Sequence, residues 1–340
     1  MQIGSCQLLL PSTYVLMNTP SASNGSTQST QLDAPAPVSS PDQYSDQELI
    51  KKLPGFTNHY VSVNGIQLHY VEGGSGQPLI CLPGWPQTWY SYHPVATQLA
   101  QHYRVIILDI RGMGSSEKPK AGYDKKTMAQ DVYALTQLLN LPKVTVMGHD
   151  IGGMVAMSFA FNYPEATDKL ILLDGSHPSE GMRHMAMLPA PGTFEEKMNG
   201  DNPYMWWMAF NQIKTLPEQL LAGRFRYLLD WLFGYVMIDE RHMTEFDRQV
   251  YAAAYNHPGS IRAATGWYQT FNQDMADANT YPRLTMPVLG IASYVAYNHM
   301  NMGLPYVAEN VQVIGLQDSG HYMFEEKPDQ VLEAVFDFLQ

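Results

Sequence analysis

The chain reads as a doubly wound α/β protein with a helical insertion, and three observations carry that reading. Short, unalternating apolar runs recur along the sequence, PLICL (78–82), RVIILD (104–109), KVTVMG (143–148), KLILLD (169–174) and MPVLGIA (286–292). Amphipathic stretches near 93–101, 127–140 and 153–163 separate most of them. Strands without a polar face, alternating with helices, describe a parallel sheet buried on both sides. Between Ser176 and about Phe271 the strand-like runs stop and aromatic residues crowd, which marks a helical segment. MPVLGIA and a closing helix near 326–339 then resume the first pattern, so the segment interrupts the domain instead of following it.

The individual elements have local causes. HYVSV and IQLHYVEGG alternate around Asn64-Gly65, the signal of a type I′ hairpin that opens the sheet with an antiparallel edge. Residues 1–45 are rich in Ser, Thr, Pro, Gln and Asn and read as a disordered tail. An apolar patch at Leu8–Met17 followed by Ser21-Ala22-Ser23 distantly imitates an export signal without its basic start, so export stays open beside the favoured cytoplasmic location. The expected organisation is a tail (1–45), a core (46–175 and 276–340) and a helical cap (176–275).

Composition narrows the partners. Among 340 residues, 20 Lys plus Arg stand against 32 Asp plus Glu, a net charge of −12 that disfavours nucleic acid. No run approaches the ~18 consecutive apolar residues of a membrane span. Two cysteines, Cys6 and Cys81, cannot frame a disulfide scaffold, and Cys81 sits in an apolar run as a buried hydrophobe. A homodimer is left open.

The chemistry concentrates in Val144–Gly153, V-T-V-M-G-H-D-I-G-G. Gly148 and Gly152 bracket Asp150 at the spacing of a nucleophile elbow, where a strained strand-to-helix turn has room only for glycine-sized neighbours. A helix N-cap is the structural alternative for an isolated Asp, and the flanking glycines argue against it. The amide after the nucleophile, on Ile151, points where an oxyanion can sit. Leu82-Pro83-Gly84-Trp85-Pro86 follows a strand and brings the Trp85 amide beside it as the second donor; a tight, cis Trp-Pro turn is compatible with that role.

An aspartate at this position decides the reaction class. Serine attacking a saturated carbon leaves an ether, whereas a carboxylate leaves an ester that water can cleave. The carboxylate is ionised at neutral pH without help, so a histidine is free to activate water in the second step. Substrates with an electrophilic sp3 carbon follow, namely epoxides or alkyl halides. His321, in Gln317-Asp318-Ser319-Gly320-His321-Tyr322, occupies the late loop where this nucleophile order expects its base. Asp174 ends the strand KLILLD at the carboxyl edge of the sheet and is favoured to orient His321. The other usual place, after MPVLGIA, offers Ser293, Tyr294 and Asn298 but no carboxylate; Asp318 is the rival. Asp109–Ser116 reads as a structural loop.

PGWPQTW, DIRGMGSSEKP, GHDIGG and DSGHY, in this order, resemble the α/β-hydrolase-fold epoxide hydrolases and their dehalogenase relatives over about residues 55–340. The resemblance implies the α/β-hydrolase fold, a mostly parallel sheet with helices on both faces and an inserted helical cap, whose tyrosines donate to the epoxide oxygen. Gly266-Trp267-Tyr268-Gln269 looks like the tyrosine motif, which makes Tyr268 the ring-opening acid. The second donor is expected in Tyr204-Met205-Trp206-Trp207: Trp207 stands where a His is frequent and its indole N–H can donate, Tyr204 competes, and Trp206 joins them as a substrate contact. The family usually has His where Pro83 stands. Haloacetate dehalogenases carry arginines around the nucleophile, and haloalkane dehalogenases a Trp directly after it; Ile151 and Met154 supply neither. The expected activity is hydrolysis of an apolar epoxide to a diol through an aspartyl ester, without metal or organic cofactor. A hydrolytic dehalogenase using the same triad and a catalytically silent ligand-binding protein are the alternatives.

Overall fold

The computed structural model describes residues 43–193, 196–198 and 203–340. Nearly all of the tail 1–45, with the export reading placed on it, lies outside the described residues. The sheet begins as the hairpin signal requires: β1 (Phe56–Val63) and β2 (Ile66–Gly74) pair antiparallel with Val63 opposite Ile66, and Asn64 and Gly65 turn between them at φ 48° and 77°. β3 (Gln77–Leu82), β4 (Tyr103–Asp109), β5 (Val144–His149), β6 (Thr167–Leu173), β7 (Val288–Ser293) and β8 (Val311–Leu316) complete it. The sequence-predicted parallel runs lie within two residues of these bounds.

Among the described residues the strand order is β1-β2-β4-β3-β5-β6-β7-β8, parallel from β4 onward. β5 and β7 are buried along their whole length, the burial that continuous apolar runs demand. The order reverses at β3, flanked by β4 on one side and β5 on the other, so the crevice beyond the carboxyl ends of β3 and β5 is the topological switch point where open α/β sheets place their sites.

The helices are α1 (Asp46–Leu49), α2 (His93–Leu99), α3 (Lys125–Leu138), α4 (Ile151–Asn162), α5 (Trp206–Phe210), α6 (Leu216–Leu221), α7 (Phe225–Val236), α8 (Glu245–Asn256), α9 (Ser260–Gln269), α10 (Phe271–Ala278), α11 (Tyr297–Val307), α12 (Met323–Glu326) and α13 (Pro328–Leu339). α5 to α10 all fall between β6 and β7, and among the described residues this insertion contains helices and turns but no strand. α4 is buried on every face from Ile151 to Ala160, as a helix lying across the middle of a sheet must be. Among the described residues no helix is long and apolar enough to cross a membrane.

Polar latches hold the insertion to the sheet-bearing core. Lys125, fully buried at the start of α3, donates from Nζ to the Trp267 carbonyl (2.7 Å) and to Asp274 Oδ2 (3.0 Å), and its backbone N–H donates to Asp274 Oδ1 (2.7 Å). Trp267 Nε1 returns a bond to the Arg111 carbonyl at 2.9 Å, and Arg262 donates to the carbonyls of Lys118 and Pro119. Because Lys125 and Asp274 are both dry, removing one strands the other as an unpaired charge. Asp274→Ala is expected to cost about 3–5 kcal/mol in denaturant unfolding at unchanged m-value, and Lys125→Met with Asp274→Leu to cost less than the single change.

Candidate active site

The site is built on the bend between β5 and α4. Asp150 has φ 51° and ψ −120°, a conformation that non-glycine residues rarely hold, and it persists because the surroundings leave no alternative. Its N–H donates to Leu173 O (3.1 Å) and its carbonyl receives the Met154 N–H (3.1 Å), so strand and helix grip it from both ends. The glycines at 148 and 152 are required by approach distance. A Cβ on Gly148 would stand 2.3 Å from Gly152 O, and one on Gly152 would stand 2.1 Å from Leu82 O.

The bend presents the carboxylate to two sets of partners. Oδ1 accepts the Trp85 backbone N–H at 2.8 Å, and the Ile151 N–H also supports the charge. The Trp85–Pro86 peptide is cis. Oδ2 faces His321 Nε2 at 3.6 Å. On the far side of the imidazole, Nδ1 lies 3.1 Å from Asp174 Oδ2, and Asp174 Oδ1 accepts the Ser293 N–H at 2.7 Å. Asp174 follows β6 with φ 41°, Ser293 ends β7, and His321 sits in the turn after β8. Four carboxyl ends of adjacent strands thus converge on one line of three side chains. Asp318 points to the surface and pairs with Lys327, away from His321.

Electrostatics make the line an anion–cation–anion array. Burial works against charge on His321, but the Asp150 and Asp174 carboxylates on either side outweigh that and push it up to about 10. Burial likewise works against the Asp150 carboxylate, and the His321 bond and charge overcome it, holding the group below its usual value. Asp150 is therefore ionised with no base needed. His149, buried beside the array, is drawn down to about 4 by burial and by the His321 charge, so it stays neutral; its Nε2 meets the His321 carbonyl at 2.9 Å. The His321 N–H donates to Val236 O at the end of α7 (3.1 Å), which ties the loop to the insertion.

A cavity of about 260 Å³ opens over Asp150. Trp85, Asp174, His321 and Tyr322 form its floor, and Trp207, Leu232 and Val236 stand above it with seven methionines that include Met154, Met205 and Met208. Unbranched thioethers give an apolar wall that adapts its shape. Of the aromatic residues singled out in the sequence, Trp207 reaches this wall. Tyr204 and Trp206 pack away from it, Tyr204 at 4.9 Å from the Tyr235 ring and Trp206 at 5.2 Å from Trp231, because consecutive residues entering α5 face different ways. Tyr268 is buried behind the lining, its ring edge-on to Trp85 at 5.6 Å; burial and the Asp150 charge push its phenol well above 10, so it remains a proton donor.

Several residues here carried no sequence signal of their own. Tyr322 borders the cavity next to His321. Asn211 is buried with an unpartnered Nδ2 and acts on the Tyr268 hydroxyl; only its spacing, one helical turn after Trp207, could have pointed to it. Asp46, His69 and Asp109 bring ligand-type atoms within 4.8 Å of one another, but these atoms are taken up by protein hydrogen bonds. His69 Nδ1 meets Asp109 Oδ2 (2.8 Å), Asp109 Oδ1 receives the Trp89 N–H (2.8 Å), and Asp46 Oδ1 receives Trp89 Nε1 (2.7 Å). That cluster braces the loop 109–116, which reads as structural.

Known proteins resemble the chain in sequence and in fold. Residues 77–231 match the family model of the alpha/beta hydrolase fold. The soluble epoxide hydrolase of Corynebacterium sp. (strain C12) is 34% identical over 285 residues, 83% of this chain and 96% of that protein. The solved structure of epoxide hydrolase CorEH without ligand superposes with a TM-score of 0.72 at 32% identity, covering 83% of this chain and 98% of that one. A fluoroacetate dehalogenase of Burkholderia sp. is 25% identical over 84% of this chain and 94% of its own length. With a third of its residues shared over nearly the full length of such a relative, the chain belongs to the α/β-hydrolase-fold epoxide hydrolase family.

Proposed function

We propose that the chain hydrolyses an apolar epoxide to a diol, with Asp150 as nucleophile. The observation that carries the reading is the Asp150–His321–Asp174 line with the Trp85 amide on Asp150 Oδ1. Asp150 Oδ2 attacks one epoxide carbon, the C–O bond breaks, and the leaving alkoxide takes a proton from Tyr268, with the Trp207 indole N–H as second donor. The product is an ester between Asp150 and the opened substrate. Esterification removes one of the two anions that keep His321 protonated, so the imidazole gives up its proton, which passes through water to restore the Tyr268 phenol, and becomes a base. Oriented by Asp174, His321 then takes a proton from water as that water attacks the Asp150 carbonyl carbon. Oδ1 becomes the oxyanion, already within reach of the Trp85 and Ile151 N–H groups; such donors contribute ~3–4 kcal/mol each in other enzymes. Collapse expels the substrate alkoxide, which takes the proton of the re-formed Asp150 carboxyl, so the diol leaves and the carboxylate and the His321 imidazolium are restored.

The cavity favours an epoxide over a haloacid. Among the described residues its lining contains no arginine or lysine to hold a substrate carboxylate, and the methionines and Leu232 suit an uncharged body.

Two measurements test the scheme. His321→Gln incubated with styrene oxide is expected to accumulate a covalent adduct on the peptide containing Asp150, read by mass spectrometry, while wild type turns the substrate over and Asp150→Asn does neither. Tyr268→Phe is expected to slow adduct formation about 100-fold. No adduct with any epoxide tried, or halide release from haloalkanes in place of diol formation, sinks the reading. Second, Asp150→Asn imitates the loss of charge on esterification. The His321 pKa, followed by 15N NMR, is expected to fall from about 10 toward the ordinary histidine value. An unchanged value removes the switch from acid to base.

A further inference from the structure

A second buried polar cluster lies behind the oxyanion turn, and the reaction as drawn does not use it. Glu325 of α12, four residues past His321, places Oε1 2.6 Å from the Gln87 side-chain amide and 3.3 Å from the Tyr251 hydroxyl. The same Gln87 amide is 3.3 Å from Tyr251, and the Gln87 backbone carbonyl accepts from the Tyr255 hydroxyl at 3.1 Å. Gln87 is fully buried and Glu325 is 8% exposed. The cluster joins the turn carrying Trp85, the short helix after His321, and α8 of the insertion.

Its hydrogen-bond count does not close for an ionised carboxylate. The partners of Glu325 are its own backbone N–H, a neutral amide and a phenol, not a cation. Among the described residues no donor reaches the buried Gln87 Oε1 or Glu325 Oε2, on the two residues that make the 2.6 Å contact. A proton on Glu325 removes a charge that these neutral partners do not balance, which lowers the cost of keeping the group dry. The groups facing Glu325 offer no positive charge in exchange: Asp247 and Tyr251 from α8, Tyr90 from the turn before α2, and Tyr322 from the His321 loop. His93, next to Asp247, is itself held low by burial.

We propose that Glu325 is a positioning residue that keeps its proton through the neutral range and, as a neutral acid, holds the Gln87 turn and with it the Trp85 amide against Asp150. Loss of the proton leaves a dry anion beside Asp247 and loosens the turn. Burial first, and then the Asp247 charge, push the Glu325 carboxyl up to about 8. The kinetic part rests on the epoxide hydrolase reading; the proton itself does not.

The test compares wild type with Glu325→Gln, which is uncharged at every pH. Because the folded value lies above the ordinary 4.5, the native chain holds this proton more tightly than the unfolded chain. Its contribution to stability is full below about 4.5 and is lost as pH rises to about 8. Wild-type Tm minus E325Q Tm is therefore expected to fall between pH 5 and 8 and to level off above. With styrene oxide as substrate, wild-type kcat at pH 9 is expected about ten-fold below its value at pH 7, with KM moving less, while E325Q shows no alkaline limb. A Tm difference that ignores pH, or an alkaline limb kept by E325Q at the wild-type midpoint, overturns the proposal. Should wild type turn over no epoxide, the function fails and the Tm series still decides the proton. Should E325Q not fold, the infrared carbonyl band of a protonated carboxyl in wild type decides: it must be present at pH 7 and vanish near pH 8, and its absence at pH 7 rejects the assignment.

Discussion

Everything at this site depends on one backbone distortion. Asp150 holds φ 51° and ψ −120° because β5, α4 and the Leu82–Pro83 segment close on it from three sides, and the approach to Leu82 O leaves space only for a hydrogen at position 152. An ordinary helical or extended residue here would turn the side chain into the sheet or along α4. The strain is of order 1–3 kcal/mol, small against the packing of a helix buried on every face. In return the carboxylate stands clear of the helix with Trp85 on one oxygen and His321 near the other.

In the proposed reaction the array of charges lets one histidine serve two steps. Between two aspartates the imidazolium is stable, and its presence lowers the cost of burying the nucleophile's charge. In that reaction, the attack that would consume the Asp150 charge would also remove the reason for the proton on His321. Asp174, fixed by the Ser293 amide, stays behind to orient the ring and to stabilise the cation when it re-forms. His149 contributes geometry without charge: neutral and buried, it meets the His321 carbonyl and leaves the field to the aspartates.

Much of this was legible in the sequence where chemistry and spacing coincide. Gly148, Asp150 and Gly152 fix a bend by sterics alone, and Asp174 and His321 follow because strand ends in an open sheet share one edge. The apolar runs named the strands to within two residues because a doubly covered strand tolerates no polar face. The aromatic cap residues were less legible. Tyr204, Trp206 and Trp207 are equally plausible as letters, and only the direction in which each leaves α5 separates a wall from packing. Gln87 and Glu325 were invisible for a different reason: they are 238 residues apart, and neither has a motif until the fold joins them. The sequence set the Asp109 loop apart from the chemistry, and its buried partners Asp46 and His69 had no local pattern.

The buried lysine under Trp267 has a consequence for how molecules come and go. A lid that swung open as one body would have to pull Lys125 Nζ from Asp274, withdraw Trp267 from Arg111 O and free the His321 amide from Val236, exposing charge and dismantling the base in one movement. These contacts make opening of that kind costly. Met182, Met185 and Met208 are shared between the inner chamber and an outer groove beside Phe271, so the passage between them is a partition of flexible thioethers. Traffic through such a partition is gated by rotamer hops of single side chains, which makes admission a matter of girth and pliancy more than of hinge motion.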